Sequence, residues 1–442
     1  MTSKAGAAVG VTDENLLNTL SVSQSEPDWL LERRLKAWSH YESLPLPLLT
    51  DEKWRRTDLG GLDPTGFNAF GENGYTDGSS NAARSALANS KFAGQNLQVD
   101  WFHQSNRLDS ALASKGVIFC SMDEAVREHP DLVQQYLPTE ILEGSMAKFD
   151  ALQAAFWRGG NFLFVPDGLE VEVPLHSFLW VTGPGIATFS QTTVVVGRGA
   201  SVQFVDEQAS ATTDASALAG GRVDLFIGDN ARLDYTFIQD WGLHTSAFKT
   251  VRAQLGRDSA FNYAEFALGS GLAKSLVEGT MPQPGARCEL WGLSLLDGNR
   301  HLDHETHQHH IADHTFSNLM YKGVLREQGR SVFYGMITIE DTAGQSNSYQ
   351  ANDNLLLSDE ARADSIPGMV IKTYDVRCTH GATIGRLDEE ELFYLRSRGF
   401  TREQAEWLVV RGYLGPVLDR VTNDQVREDI EAVVLRRAAS RD

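Results

Sequence analysis

Cysteine is scarce in this 442-residue chain, which has only Cys120, Cys288 and Cys378, set far apart. Three thiols cannot all pair within one chain and no C-x-x-C occurs, so neither a disulfide framework nor a zinc knuckle is supported. Long apolar runs are missing as well. No stretch approaches the ~18 consecutive apolar residues that a membrane-spanning helix needs. The opening residues MTSKAGAAVGVTDENLLNTL have neither a basic lead into an apolar run nor an Arg-rich composition. Basic charge is in deficit, with 39 Lys and Arg against 59 Asp and Glu and a formal net charge of −20. Such a field repels phosphate backbones and anionic lipid, which argues against nucleic acid and membranes as partners. A cytoplasmic location is the resulting expectation, with the charge serving mainly to keep a large protein in solution.

Familiar catalytic signatures are absent too. The phosphate-binding loop G-x-x-x-x-G-K-[ST] does not occur. Gly269-Ser-Gly-Leu-Ala-Lys274-Ser275 matches only its ending and lacks the glycine before lysine, so ATP hydrolysis by this chain is not expected. No G-x-S-x-G elbow and no dinucleotide fingerprint with its acidic partner is present. What remains is an ordinary globular composition, 42% hydrophobic and 22% charged, on a chain long enough for two or three structural units.

The texture along the chain divides it into four. Residues 1–24 read as a disordered or loosely docked tail. Residues 25–160 read as a mostly helical N-terminal region. Its first helix is expected in WLLERRLKAWSHY, where Leu31, Leu35, Trp38 and Tyr41 recur at helical spacing before Pro45 and Pro47 break the pattern. Residues 61–96 of this region are rich in Gly, Asn, Ser and Ala and read as a surface connection. Helices are expected again in SMDEAVREHPDLVQQYL and MAKFDALQAAFWRG.

Residues 161–387 alternate Val/Phe/Thr/Leu runs with Gly/Asp/Asn punctuation, a strand signature. A weak repeat is visible within them. Gly197, Gly228, Gly256 and Gly285 each open a turn, followed by a small residue (Ala200, Ala231, Ser259 or Ala286) and a new strand, at intervals of roughly 30 residues. LLSDEARADSI around Ala361 is a looser copy. With no helical pattern between copies, β-α-β winding is disfavoured. A β-sandwich is one alternative; a β-helix accounts better for turn chemistry recurring at a fixed offset. Residues 388–442 turn helical, with Gly399 as a helix-ending glycine and Thr401 to Gln404 as a capping box. The last helix should bury Val426, Ile430, Val433 and Val434.

Two constellations could carry chemistry. Half of the 12 histidines fall between His301 and His314. Imidazole with carboxylate suits zinc, iron or nickel, and a cupin-like metal site using His304, His307 and His309 is one reading. The other is ordered imidazoles on a β rung, with His307 and His309 on one face and His310 on the opposite one. The second constellation is Tyr374-Asp-Val-Arg-Cys378-Thr-His380-Gly-Ala-Thr383. On a strand Cys378 and His380 share a face. They suit a nucleophile–base pair, a pair of iron ligands, or a packed core cysteine beside a satisfied histidine.

Longer stretches carry a resemblance. DVRCTHGATIGRLDEEELFYLRSRGF, SVFYGMITIEDTAGQSNSYQANDNLLLSDEARADSIP, HETHQHH followed by SNLMYKGVL, and FLFVPDGLEVEVPL resemble the core of the SufB/SufD family of the SUF iron–sulfur cluster assembly system. EPDWLLERRLKAWSHYESLPLP with EKWRRTDL resembles the N-terminal region of the SufD type, as does Gly381 after His380. The resemblance covers nearly everything beyond the first two dozen residues. It implies a mainly β fold, a right-handed parallel β-helix flanked by N- and C-terminal helical domains. It implies a non-enzymatic scaffold that pairs with a SufB-like paralogue and docks a SufC-like ATPase on its C-terminal helices. It places His380, with Cys378 as a weaker candidate, at the shared interface where a transient Fe–S cluster forms, and it implies no tightly bound cofactor. Homodimerisation of the isolated chain stays open. No role is carried onto the His301–His314 window.

Overall fold

The computed structural model describes residues 14–68, 85–88, 90–138, 143–183, 185–211 and 216–439. Among these residues no helix is long and apolar enough to cross a membrane. The chain starts with helices α1 (Glu14–Gln24) and α2 (Asp28–Ser43). Residues 14–24 are therefore not a disordered tail: Leu16, Leu17 and Leu20 recur at helical spacing and are buried. Residues 1–13, and residues 69–84 and 89 of the Gly/Asn/Ser-rich connection, lie outside the described residues.

Helix α2 forms where expected but is rotated from the expected face. It buries Leu30, Arg34, Ala37, Trp38 and Tyr41, while Leu31 and Leu35 are only half-buried. Arg34 earns a core position through its partners. Its guanidinium donates to Glu26 and to the carbonyls of Ala155 and Trp157, and it stacks on the Trp157 ring. A charge paired with a carboxylate and bonded through all three nitrogens is tolerated in the core where a lone one is not.

The rest of the N-terminal region is mixed rather than mostly helical. Strands β1 (Gly94–Val99) and β2 (Phe102–Leu108) precede helix α3 (Ser110–Ala113) and strand β3 (Ile118–Ser121). Helices α4 (Met122–Glu128), α5 (Pro130–Tyr136) and α6 (Ala147–Phe156) follow. Strand β1 pairs parallel with the first solenoid strand of one sheet, and β3 pairs antiparallel with that of the other. These pairings cover the backbone edges that the solenoid would expose at its start.

The core then winds through β4 (Gly160–Val165), β5 (Leu175–Val181), β6 (Ala187–Val196), β7 (Ser201–Ser210), β8 (Ala217–Ile227), β9 (Arg232–Asp240), β10 (Thr245–Leu255) and β11 (Ala260–Ala267). It continues through β12 (Leu272–Met281), β13 (Arg287–Leu296), β14 (His301–His310), β15 (Phe316–Leu325), β16 (Arg330–Ile339), β17 (Asn347–Leu356), β18 (Arg362–Ile371) and β19 (Arg377–Arg386). Odd strands from β5 stack parallel in one sheet and even strands from β4 in the other. The result is a two-sheet parallel β-solenoid of about 8 turns. Strands alternate side chains in and out, so each sheet sends one set of residues into the lumen.

One corner explains the repeat. Gly199, Asn230, Asp258, Gly285, His314 and Gln345 take φ values of 64°, 57°, 53°, 74°, 56° and 58°. Each is followed by a small buried residue: Ala200, Ala231, Ser259, Ala286, Thr315 or Ser346. The left-handed residue turns the chain sharply, and the small one fits the tight corner behind it. Gly197, Gly228 and Gly256 serve a different purpose. A Cβ there would sit 2.6, 2.9 and 2.7 Å from backbone nitrogens of the turn below. Gly285 shares the sequence pattern of these three but occupies the position two residues later, at the left-handed site.

The chain ends in α7 (Glu389–Ser397), α8 (Arg402–Leu418) and α9 (Asp424–Ala439). The Thr401–Gln404 capping box is formed as expected, and Gly399 has φ 98° after α7. Val410, Leu414 and Val417 of α8, with Val426, Ile430, Val433 and Val434 of α9, share an apolar cluster with Trp291 and Leu293 of the odd-strand sheet. Among the described residues no strand covers β18 or β19 on the far side, so the solenoid is closed at its start and open at its end.

Candidate functional site at the open end of the solenoid

Register places the residues of the open end. Cys378 of β19 stacks on Ser348 of β17, and His380 stacks on Gln350. Ser348 and Gln350 are buried, because their turn is covered; His380, on the last turn, is exposed. Cys378 is half-buried and its Sγ lies 3.2 Å from Met369 Sδ of β18, across the lumen mouth. Burial pushes the Cys378 thiol pKa up, so it holds its proton at neutral pH. Gln350 Nε2 donates to the carbonyls of Gly335 at 3.4 Å and Gly368 at 3.3 Å, tying the two sheets together beneath His380. The expected shared face of Cys378 and His380 is thus realised, at an edge facing solvent. Met369 and Gln350 were missed. Gln350 could have been found one repeat upstream of His380; nothing local marks Met369.

An exposed imidazole and one thiol at an open edge leave most positions around any bound iron to donors from elsewhere. The surroundings favour a second protein surface. Met369, Val370, Ile371 and Ile384 are 37%, 44%, 42% and 48% exposed on the two terminal strands, whose outer edges are unpaired, and Tyr374 beside them is fully exposed. Unpaired strand edges with exposed apolar side chains are a template for association.

The histidine window resolves into β14 and its following corner. His304 and His310 point into the lumen, His301, His307 and His309 point outward, and His314 is the left-handed corner residue. The trio His304, His307 and His309 therefore does not converge: strand alternation puts His304 on the opposite face. His304 lies 3.6 Å from Glu265 and edge-on to Tyr321, while His307 and His309 stack with ring centroids 5.0 Å apart. Among the described residues no group of three or more His, Cys, Asp or Glu is placed to hold a metal ion. Cys120 and Cys288 are core residues whose thiols burial pushes up to about 12.

The outward face of β14 is a docking surface for the segment that contains EKWRRTDL. Trp54 packs against Phe149 and Phe248. Lys53 pairs with Glu305 at 3.0 Å, Arg56 reaches Asp364 of β18 at 3.2 Å, and Thr57 donates to Asp303. Lys274 pairs with the same Asp303 at 2.7 Å, both side chains fully buried. Much of the outer polar content of β14 is thus structural.

Inside the lumen, His310 is buried and bonded through both nitrogens, to Thr315 at 2.7 Å and Ser317 at 2.8 Å. Burial, with the nearby His309 and His307, lowers its pKa to about 4. The unfolded value is ~6.5, so the unfolded chain binds more protons between the two. The His310 contribution is complete above about pH 6.5 and is lost as pH falls towards 4, by roughly 3 kcal/mol. In His310→Gln that part of the acid loss should vanish, flattening the stability–pH slope between pH 6.5 and 4 in urea titrations. An unchanged slope would show that His310 does not carry it.

With fold and site in place, comparison with known proteins decides the family. Residues 179–413 match the model for the SUF system FeS cluster assembly SufBD core domain, and residues 17–176 match the SufBD protein N-terminal region. The chain belongs to the SufB/SufD family of iron–sulfur cluster assembly proteins. It is 28% identical over 431 residues to the iron–sulfur cluster assembly protein SufD of Bacillus subtilis, covering 96% of this chain and 98% of that protein. Against SufB of the same organism it is 25% identical over 425 residues, covering 92% and 89%. A SufBD family protein of Staphylococcus saprophyticus is 26% identical over 421 residues, covering 91% and 88%. The resemblance seen in the C-terminal motif thus extends to both family domains.

Proposed function

We infer that this chain is a SufD-type scaffold subunit of the SUF machinery, a cytoplasmic protein without an active site of its own. The fuller end-to-end coverage with the Bacillus SufD than with its SufB supports the SufD type. The observation that carries the reading is the open end of the solenoid, where unpaired strand edges, exposed apolar side chains and the Cys378–His380 pair coincide. A SufB-like paralogue pairs there, and His380 contributes to a cluster held transiently between the two chains as cargo. Iron in such clusters is held mainly by thiolates with imidazole as an occasional substitute, so one Cys–His edge needs a partner to complete the set. An isolated chain can satisfy the same edge with a second copy of itself.

The C-terminal domain supplies the second contact. Phe393, Tyr394, Phe400 and Leu408 are 73%, 57%, 41% and 39% exposed, large apolar side chains on the C-terminal domain suited to dock a SufC-like ATPase. Any ATP-driven movement comes from that subunit.

The test is recovery of the chain from its native cell with its SufB-like and SufC-like partners, followed by His380→Ala. That variant should keep the complex and lose cluster assembly in vivo. Normal cluster formation by His380→Ala would refute the role of His380, and failure to recover either partner would refute the scaffold reading.

A further inference from the structure

Small residues leave a polar cavity inside the lumen, remote from the open end. In register, Lys249 of β10 lies between Gly221 of β8 and Ser275 of β12. Across the lumen, Asp206, Phe237 and Glu265 stack on successive strands of the other sheet. Lys249, Glu265, Gln239 and Ser275 line a cavity of about 30 Å³. The Lys249 amine is buried, 4.0 Å from Asp206 and above the Phe237 ring, with no hydrogen-bond partner among the described residues. Gln239 Nε2 and Ser275 Oγ, also buried, are likewise unpartnered. Three such groups around one space call for an occupant.

The charges on the walls select its chemistry. Asp206 accepts from Tyr235 at 2.8 Å and Glu265 from Tyr321 at 3.3 Å, so both carboxyl groups are held in place. Burial opposes ionisation of Glu265, yet His304 and Lys249 hold its carboxyl below the usual range. Burial lowers the Lys249 pKa to about 7 against the pull of Asp206 and Glu265, so the free amine is well populated near neutral pH. A second negative charge would be repelled here, whereas a cation formed on the amine would face two carboxyl groups.

We propose that Lys249 captures one- or two-carbon aldehydes as a protonated Schiff base inside the lumen. A desolvated lysine amine is the nucleophile that such chemistry requires. Its lone pair attacks the carbonyl carbon, and the amine proton passes to the carbonyl oxygen, giving a carbinolamine. The hydroxyl then takes a proton from solvent and leaves as water, while the nitrogen lone pair forms the C=N bond. Ser275 Oγ and Gln239 Nε2 are the free donors for the carbonyl oxygen, and Asp206 and Glu265 balance the resulting iminium charge. Size sets the limit: at ~10–15 Å³ for one water, the cavity takes about two water-sized groups, as an ethylidene adduct requires. This capture needs neither partner chain nor cluster and so stands apart from the scaffold reading.

The test treats the full-length chain with acetaldehyde at neutral pH, with cyanoborohydride present to reduce each imine to a stable ethylamine. Peptide mass spectrometry then gives the labelling rate of Lys249 beside those of the exposed Lys36 and Lys115. Lys249 should react faster than either, on the order of tenfold or more, because more of it is unprotonated. Butyraldehyde should label Lys36 and Lys115 and leave Lys249 unmodified, since its chain exceeds the cavity. Labelling of Lys249 no faster than the exposed lysines, or equal labelling by the two aldehydes, overturns the proposal. Neither result bears on partner pairing, which involves other residues, and loss of pairing would leave the aldehyde result unchanged.

Discussion

Replacing Lys274 with methionine is expected to destabilise the protein by roughly 3–5 kcal/mol. Its ammonium lies 2.7 Å from Asp303, with neither side chain exposed, and also donates to the Lys53 carbonyl at 3.2 Å. Removing the cation leaves a buried carboxylate held only by Thr57. Burial already raises the Asp303 pKa against the pull of Lys274, so in the variant, with that cation gone, it rises further. The segment around Trp54 should loosen as well, because Lys274 sits over the Trp54 ring at 5.0 Å. Thermal and urea unfolding measure the loss, and limited proteolysis near residues 51–58 reports the loosening. The double variant Lys274→Met with Asp303→Leu should be more stable than Lys274→Met alone, because it removes the stranded charge. A loss below about 1 kcal/mol in the single variant would show that the pair is not the anchor of this segment.

Charging the open edge should separate the partners while leaving the fold alone. Val370 and Ile384 are 44% and 48% exposed on the terminal strands, so Val370→Lys with Ile384→Lys removes little packing within the chain. In an interface each would bury apolar surface worth about 1.5 kcal/mol, and each lysine would add an unpaired charge at the seam. Together these weaken pairing by about 3 kcal/mol or more, on the order of a hundredfold. Co-purification and sedimentation of the charged variant with the SufB-like subunit read the effect. Phe393→Glu is the matching control: it should release the ATPase and leave the solenoid pairing intact. Normal pairing by the charged variant would place the interface elsewhere on the molecule.

Local chemistry made much of this legible. Turn glycines at a fixed offset pointed to stacked repeats, because wherever one turn lies on the next a Cβ at Gly197, Gly228 or Gly256 would strike the backbone below. The capping box at Thr401 and the apolar face of α9 depend only on neighbours a few residues away. The shared face of Cys378 and His380 follows from strand alternation. Helix α1 escaped notice because its leucines are few and the stretch around them is polar. The rotation of α2 escaped because Arg34, a residue expected outside, finds Glu26, Ala155 and Trp157 as partners only after folding.

The histidine window shows the other side. Its residues are conspicuous together in sequence, yet β14 divides them between lumen, outer face and corner. Asp303 and Glu305 are claimed by Lys274, Thr57 and Lys53, some from more than 200 residues away, as the separation of Thr57 from Asp303 by 246 positions illustrates. Met369 likewise meets Cys378 only because β18 and β19 face one another across the mouth.

By itself, then, the sequence determined the stacked-repeat architecture, the helical terminus and the Cys378–His380 face, since each arises from contacts between neighbours or from strict periodicity. The tertiary structure alone decided that the solenoid is sealed at one end and open at the other, and which polar side chains are spent on internal anchoring. Those outcomes depend on pairing between distant segments, β1 and β3 covering one end and, among the described residues, no strand covering β18 and β19, and side-chain periodicity holds no information about which edge finds a partner.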